Sequence, residues 1–142
     1  MRSCIYFFKS DIRFRFFRST QVSDWVKSII RKEGKKCGEL SIVFCSDDYL
    51  LDLNRRFLKH DYLTDVITFP SGEKFISGEI YISVDRVREN AAATGIGLQH
   101  ELRRVIIHGV LHLLGYTDAS KVQKTAMRLK EDACLSLLPS ST

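Results

Sequence analysis

The stretch LQHELRRVIIHGVLHLLGYTD, residues 98–118, governs how the rest of the chain is read. Leu102, Val105, Ile106, Ile107, Val110, Leu111, Leu113 and Leu114 leave a helix over 98–115 with little polar face, which predicts that it runs through the core. His108 and His112 stand one turn apart on it, offset by about 40° around the axis, so both imidazoles project to one point. Gly115 offers a left-handed helix end that swings Asp118 back past the terminus. His108, His112 and Asp118 together form a zinc donor set with a fourth position left for water, as in catalytic rather than closed structural sites. Zinc lowers the pKa of such a water toward ~7 and polarises the carbonyl or phosphoryl group it meets. Taken alone, the HxxxH spacing also fits two core histidines satisfying buried carbonyls, and Asp118 also fits the N-cap of a following helix. Gly109 stands where HExxH proteases carry their general base and cannot move a proton, which disfavours peptide hydrolysis by that route.

Outward from this helix, the apolar stretches CIYFF (4–8), ELSIVFC (39–45), TDVITF (64–69) and GEIYIS (78–83) read as strands, rich in β-branched and aromatic residues. The alternating DIRFRFF (11–17) reads as an extension of the first strand or an extra edge piece. Helical spacing appears in TQVSDWVKSIIRKEG (20–34), with Val22, Trp25, Val26, Ile29 and Ile30 on one face and Gly34 at its end. SDDYLLDLNRRFL (46–58) begins with a Ser46 cap and acidic residues, and presents Leu50, Leu53, Phe57 and Leu58 at compatible spacing. SVDRVRENAAATG (83–95) and ASKVQKTAMRLKEDACLSLL (119–138) complete a set of about five helices. The expectation is an α+β fold: one small mixed sheet of about four strands covered by helices, with the histidine helix central.

The 142 residues suit one domain, 1–142, with no repeat and no linker to divide it, and the tail PSST (139–142) is expected to fray. The opening MRSCIYFFKSD is basic and then apolar, but charges return too soon for a signal peptide. No stretch approaches the ~18 apolar residues of a membrane span, so a soluble, intracellular protein without a membrane partner is expected. Cys4, Cys37, Cys45 and Cys134 are scattered singly and read as free thiols rather than disulfides or zinc ligands. The net charge of +5 is uneven: residues 1–60 hold 13 Lys/Arg against 7 Asp/Glu, and the remainder 9 against 10. A basic half beside a neutral half bearing the histidines suits a polyanion approaching a metal, and equally a solvated surface with no partner.

HGVLHLLGYTD (108–118), LNRRFLKHDYLTDVITFP (53–70) and SGEIYISVDRVRENA (77–91) together resemble the YbeY family of metal-dependent endoribonucleases of ribosomal RNA maturation, whose signature is close to HGxLHLxGYxH. The match falls on His108, Gly109, Leu111, His112, Leu113, Gly115 and Tyr116. Two departures stand out: Asp118 replaces the family's third histidine, and Phe57 and Leu58 stand where many members read Tyr-Arg. The aspartate should leave a metal-held water somewhat less acidic than a third neutral imidazole would. The resemblance implies one zinc, cleavage of single-stranded RNA, processing of the 3′ end of 16S rRNA, ribosome quality control through a ribosome or small-subunit precursor, and a cytoplasmic location. Chemistry agrees, since a metal takes up charge developing on a phosphoryl oxygen. Arg55, Arg56 and Lys59 are candidate phosphate contacts, and equally residues of a solvated helix face. His60, Asp61 and Asp65 are candidates to steer the metal-held water, with Asp65 the one side chain advanced as catalytic. Thr64 and Asp65 also suit bonds to their own backbone. Tyr116 suits stacking on a base or packing over the helix end.

Two rivals compete with a nuclease: a zinc peptidase or amidohydrolase taking its base from Asp65, and a ribosome-associated RNA-binding or assembly factor in which the metal only stabilises the fold.

Overall fold

A computed structural model describes residues 4–138; the PSST tail and the first three residues lie outside the described part. The elements run β1 (Ile5–Lys9), α1 (Ser19–Lys32), β2 (Cys37–Cys45), α2 (Asp47–Leu58), β3 (Val66–Ser71), β4 (Ile76–Ser83), α3 (Val84–Thr94), α4 (Leu98–Leu113) and α5 (Lys121–Leu135). The fold is α+β, with five helices and one open, mixed, four-stranded sheet in the order β1-β2-β4-β3 among the described residues. β1 and β4 flank β2 in parallel, and β3 closes the far edge antiparallel to β4.

Strand alternation sorts the side chains onto two faces. Leu40, Ile42, Phe44, Ile80 and Ile82 face the main core, built with Val22, Val26 and Ile30 of α1, Val84 and Val87 of α3, and Ile106 and Leu111 of α4. Cys45 and Ile67 meet Leu50 of α2 in a smaller cluster, with Leu53, Phe69 and Tyr81 packed against it. Each fully buried Ile or Leu contributes roughly 1.5–3 kcal/mol relative to exposure. The fold thus rests on the α4 side of the sheet, where α4 also touches α3, α5, β3 and β4. Phe57 and Leu58 do not complete the apolar face expected of α2: they are 58% and 40% exposed, Phe57 touching Phe69 of β3 edge-on and Leu58 lining a cleft.

Serines at the predicted starts take up free helix amides. Ser46 accepts from Tyr49 N–H, Ser83 from Arg86 N–H, and Ser120 forms a capping box with Gln123. The cap of α5 is therefore Ser120, which leaves Asp118 unclaimed by that helix.

DIRFRFF is not a strand. Ile12, Phe14 and Phe16 are half-buried while Arg13 and Arg15 are exposed, so the alternation is real, but 12–18 joins no ladder. Its aromatic rings pack edge-on or tilted against Phe44 and stack on Phe7 instead. Alternation reports a buried face; only backbone pairing makes a strand.

All four cysteines are free thiols. Cys4 and Cys37 have sulfurs 2.7 Å apart beside the β1–β2 edge, and burial pushes the Cys45 thiol up to about 12. Among the described residues no helix is long and apolar enough to cross a membrane.

Candidate metal centre

Close packing of α4 on the sheet sets the direction of its histidines. An added Cβ on Gly109 would lie 2.8 Å from Ile80 Cγ2 and 3.4 Å from Thr68 Cγ2, so position 109 faces the sheet. A glutamate there would drive into β4. His108 and His112, on the neighbouring face, lean instead toward the cleft beside β3.

After Leu113 the chain turns at Gly115, whose φ of 104° lies outside the range natural to side-chain-bearing residues. Amides of Gly115 and Tyr116 donate to the carbonyls of His112 and Leu111, closing the helix end. That reversal carries Asp118 back to the histidines. Its Oδ2 lies 3.3 Å from His108 Nε2 and 3.5 Å from His112 Nε2, and the two Nε2 atoms are 3.0 Å apart. Among the described residues, His108, His112 and Asp118 form the one group of this kind able to hold a metal.

Both far ring nitrogens are committed. His108 Nδ1 is 2.6 Å from Glu131 Oε2, and His112 Nδ1 is 3.0 Å from the Tyr116 carbonyl oxygen. An ionised carboxylate and a carbonyl only accept, so each Nδ1 donates its proton outward and each Nε2 turns a lone pair inward. With both imidazoles neutral, two Nε2 lone pairs and a carboxylate oxygen converge, an arrangement that a cation relieves. A tetrahedral zinc shell with bonds of about 2.0–2.1 Å has edges of about 3.3 Å, close to the three spacings here. The donor set and its spacing therefore fit zinc.

The orienting groups come from other helices. Glu131, 4% exposed, receives His108 through one oxygen and Arg104 Nη1 at 3.1 Å through the other, while Arg104 Nη2 reaches Asp132 at 2.7 Å. Tyr116 donates its phenol to Glu33 Oε1 at 2.5 Å, and Lys130 donates to Glu33 Oε2 at 3.0 Å, which fastens the segment whose carbonyl holds His112. Tyr116 therefore packs over the helix end, as one of its two readings proposed, and does not line the cleft. Burial works to depress the His108 pKa, but the hydrogen bond and charge of Glu131, with Asp118 and Asp65, outweigh it and hold it above the ordinary imidazole value.

In front of the histidines lies a cleft of about 660 Å³, with Leu58, His60, Tyr62, Asp65 and Lys124 among its walls. Asp65 also borders an adjoining recess of about 300 Å³, together with His108, Asp118 and Lys124. Burial pushes the Asp65 carboxyl above the usual carboxylate range, against the pull of His108 and of the Asp65 and Val66 amides. The bonds to its own backbone are thus present, and they leave Asp65 beside the metal group.

Arg55, Arg56 and Lys59 sit apart from the cleft walls. Arg55 pairs with Asp61, Arg56 with Asp52, and Lys59 ends α2 in the left-handed region. Asp61, exposed and engaged by Arg55, is not a cleft wall either, whereas His60 is. Sequence reasoning missed Glu131, Arg104, Glu33 and Lys124. A signal existed for Glu131: Met127, Glu131 and Cys134 are the buried residues of α5, and their spacing places a carboxylate on its apolar stripe. For Lys124 no local signal distinguishes it from the other exposed lysines.

Comparison with known proteins agrees across the chain. The family model described as Endoribonuclease YbeY matches residues 9–139. The Endoribonuclease YbeY of Cytophaga hutchinsonii is 47% identical over 135 residues, covering 94% of each chain. That of Flavobacterium psychrophilum is 47% identical over 132 residues, covering 92% of this chain and 94% of its own. The solution structure of TM1509 from Thermotoga maritima superposes with a TM-score of 0.65 at 29% identity, over 93% of this chain and 87% of that one.

Proposed function

The chain belongs to the YbeY endoribonuclease family, and from that premise we propose that it is a zinc-dependent, single-strand-specific endoribonuclease of the cytoplasm, acting on the 3′ end of 16S rRNA and in ribosome quality control. The observation that carries the metal part is the inward convergence of His108 Nε2, His112 Nε2 and Asp118 Oδ2, with each Nδ1 facing an outward oxygen acceptor. Those three residues would hold the ion.

Zinc bound there would supply a Lewis acid that lowers the pKa of water and stabilises charge developing on phosphoryl oxygens. The chain's own groups do the rest. Asp65, the further carboxylate on the cleft wall, is placed to take up a proton, and its burial raises its pKa, which strengthens it as a base. Lys124 faces the same space and meets a phosphate with a positive charge. Arg55, Arg56 and Lys59 lie on the exposed end of α2, where surface ion pairs are weak enough to be exchanged for flanking phosphates of the RNA, within the ribosome or a small-subunit precursor.

One observation favours a peptidase: β3 is an edge strand whose residues 66–68 line the cleft, and an open edge suits an extended peptide. Against it, Gly109 faces the sheet and supplies no base. A metal that only stabilises the fold is disfavoured by the cleft beside the ligands, since structural zinc sites are closed by four protein ligands.

Metal analysis and RNA cleavage, run on wild type and His112→Ala purified identically, test the reading. The expected result is about one zinc per wild-type chain, with cleavage of single-stranded RNA lost in the variant while its circular dichroism is unchanged. Equal cleavage by both proteins overturns it, and cleavage of peptides but not RNA transfers the site to the peptidase reading.

A further inference from the structure

We infer that His60 and Tyr62 form a nucleobase subsite, on which a base of single-stranded RNA stacks beside the metal group; this rests on the nuclease reading above.

The two rings are stacked on one another, with centroids 5.2 Å apart and planes 21° from parallel, and Tyr62 Oη lies 3.0 Å from His60 Nδ1. Neither ring belongs to either hydrophobic cluster, and Tyr62 is 56% exposed. An aromatic side chain on a loop with no packing role would ordinarily be free to move, yet this loop is fastened. Asn54, 1% exposed, donates from its side chain to the Tyr62 carbonyl at 2.9 Å and accepts His60 N–H on its own carbonyl at 3.1 Å. Arg55 ties Asp61, the residue between the two rings. Burying an amide side chain to hold an exposed loop is costly unless it is bonded, and here the bond holds the main chain that carries the aromatic pair.

Both rings line the cleft that also holds His108, His112 and Asp118. Leu58 continues their wall with uncharged, apolar surface, while Lys124 faces the same space. The cleft lining thus offers both a cation suited to a phosphate and a flat π-face. A volume of about 660 Å³ is within the ordinary range for organic ligands. Stacking is available to every base and strongest for the larger purines, so the subsite selects unpaired nucleotides and favours a purine without reading an exact sequence.

The test uses the full chain with zinc, and Tyr62→Ala, Tyr62→Phe and Tyr62→Trp. Zinc content and circular dichroism should match wild type in all three. With single-stranded RNA, Tyr62→Ala should raise KM roughly 5- to 100-fold with little change in kcat, and Tyr62→Phe and Tyr62→Trp should restore it. In parallel, a non-cleavable 2′-O-methyl oligonucleotide carrying 2-aminopurine should lose fluorescence on binding wild type, and lose much less on binding Tyr62→Ala. Equal KM and equal quenching in wild type and Tyr62→Ala overturn the subsite even if wild type cleaves RNA. So does equally tight binding of an oligonucleotide lacking its bases, which would mean phosphate contacts alone. Quenching without cleavage by wild type would instead overturn the nuclease reading and leave the subsite standing.

Discussion

Glu131 Oε2 lies 2.6 Å from His108 Nδ1, so a candidate metal-binding histidine on α4 is oriented by a carboxylate 23 residues further on, in α5. The same carboxylate takes Arg104 on its other oxygen, which makes one buried ion pair serve both fold and site.

Glu131→Gln should therefore weaken zinc binding while leaving the chain folded. Loss of a group that orients a metal-binding histidine typically costs about 10–100-fold in affinity. Competition with a chromogenic chelator measures it, and an affinity equal to wild type would show that Glu131 does not orient His108.

Arg104→Leu should cost about 3 kcal/mol of stability, because it leaves the Glu131 carboxylate buried without its cation. Combining it with Glu131→Gln should cost less than the sum of the single changes, the mark of a coupled pair. Urea unfolding of the four proteins measures the coupling.

Gly109→Ala should destabilise by about 1 kcal/mol despite alanine's better helix propensity. Propensity favours it by about 1 kcal/mol, but a Cβ 2.8 Å from Ile80 Cγ2 forces a shift worth about 1–3 kcal/mol. A thermal melt decides the sign; an increase in Tm would mean that α4 can lift from β4 freely.

Hydrogen bonds from Tyr116, then Lys130, hold the Glu33 carboxyl below its ordinary pKa. A depressed carboxyl contributes stability above the unfolded-chain pKa, near about 4.3, and that contribution is lost as pH falls through the lower folded value. Glu33→Gln should thus cost about 1 kcal/mol at pH 7, with the gap to wild type closing in strong acid. Denaturant midpoints at the two pH values test it. Tyr116 also holds His112, so a modest loss of zinc affinity should accompany the change.

Much of this protein was written in local pattern. Apolar stretches rich in β-branched and aromatic residues, and helical spacing with Ser46 as a cap, placed four strands and five helices in the described residues, because burial of one face and satisfaction of free amides are local requirements. The pair His108/His112 was legible because a helix alone puts residues four apart on one face, and Asp118 because Gly115 reverses the chain beside them. The tract 11–17 shows the limit: its alternation reported which side chains turn inward, but whether a strand forms depends on a neighbouring backbone that no local pattern supplies. For the same reason the sequence could name Gly109 as inert without saying why it is glycine, a reason that lies in the approach of Ile80 from β4. Tertiary structure alone decided that Glu131 and Tyr116 aim the two imidazoles and that Tyr62, rather than Tyr116, faces the cleft. Those choices depend on how α2, α4 and α5 are set against the sheet, and packing of distant segments leaves no period in the chain to be read.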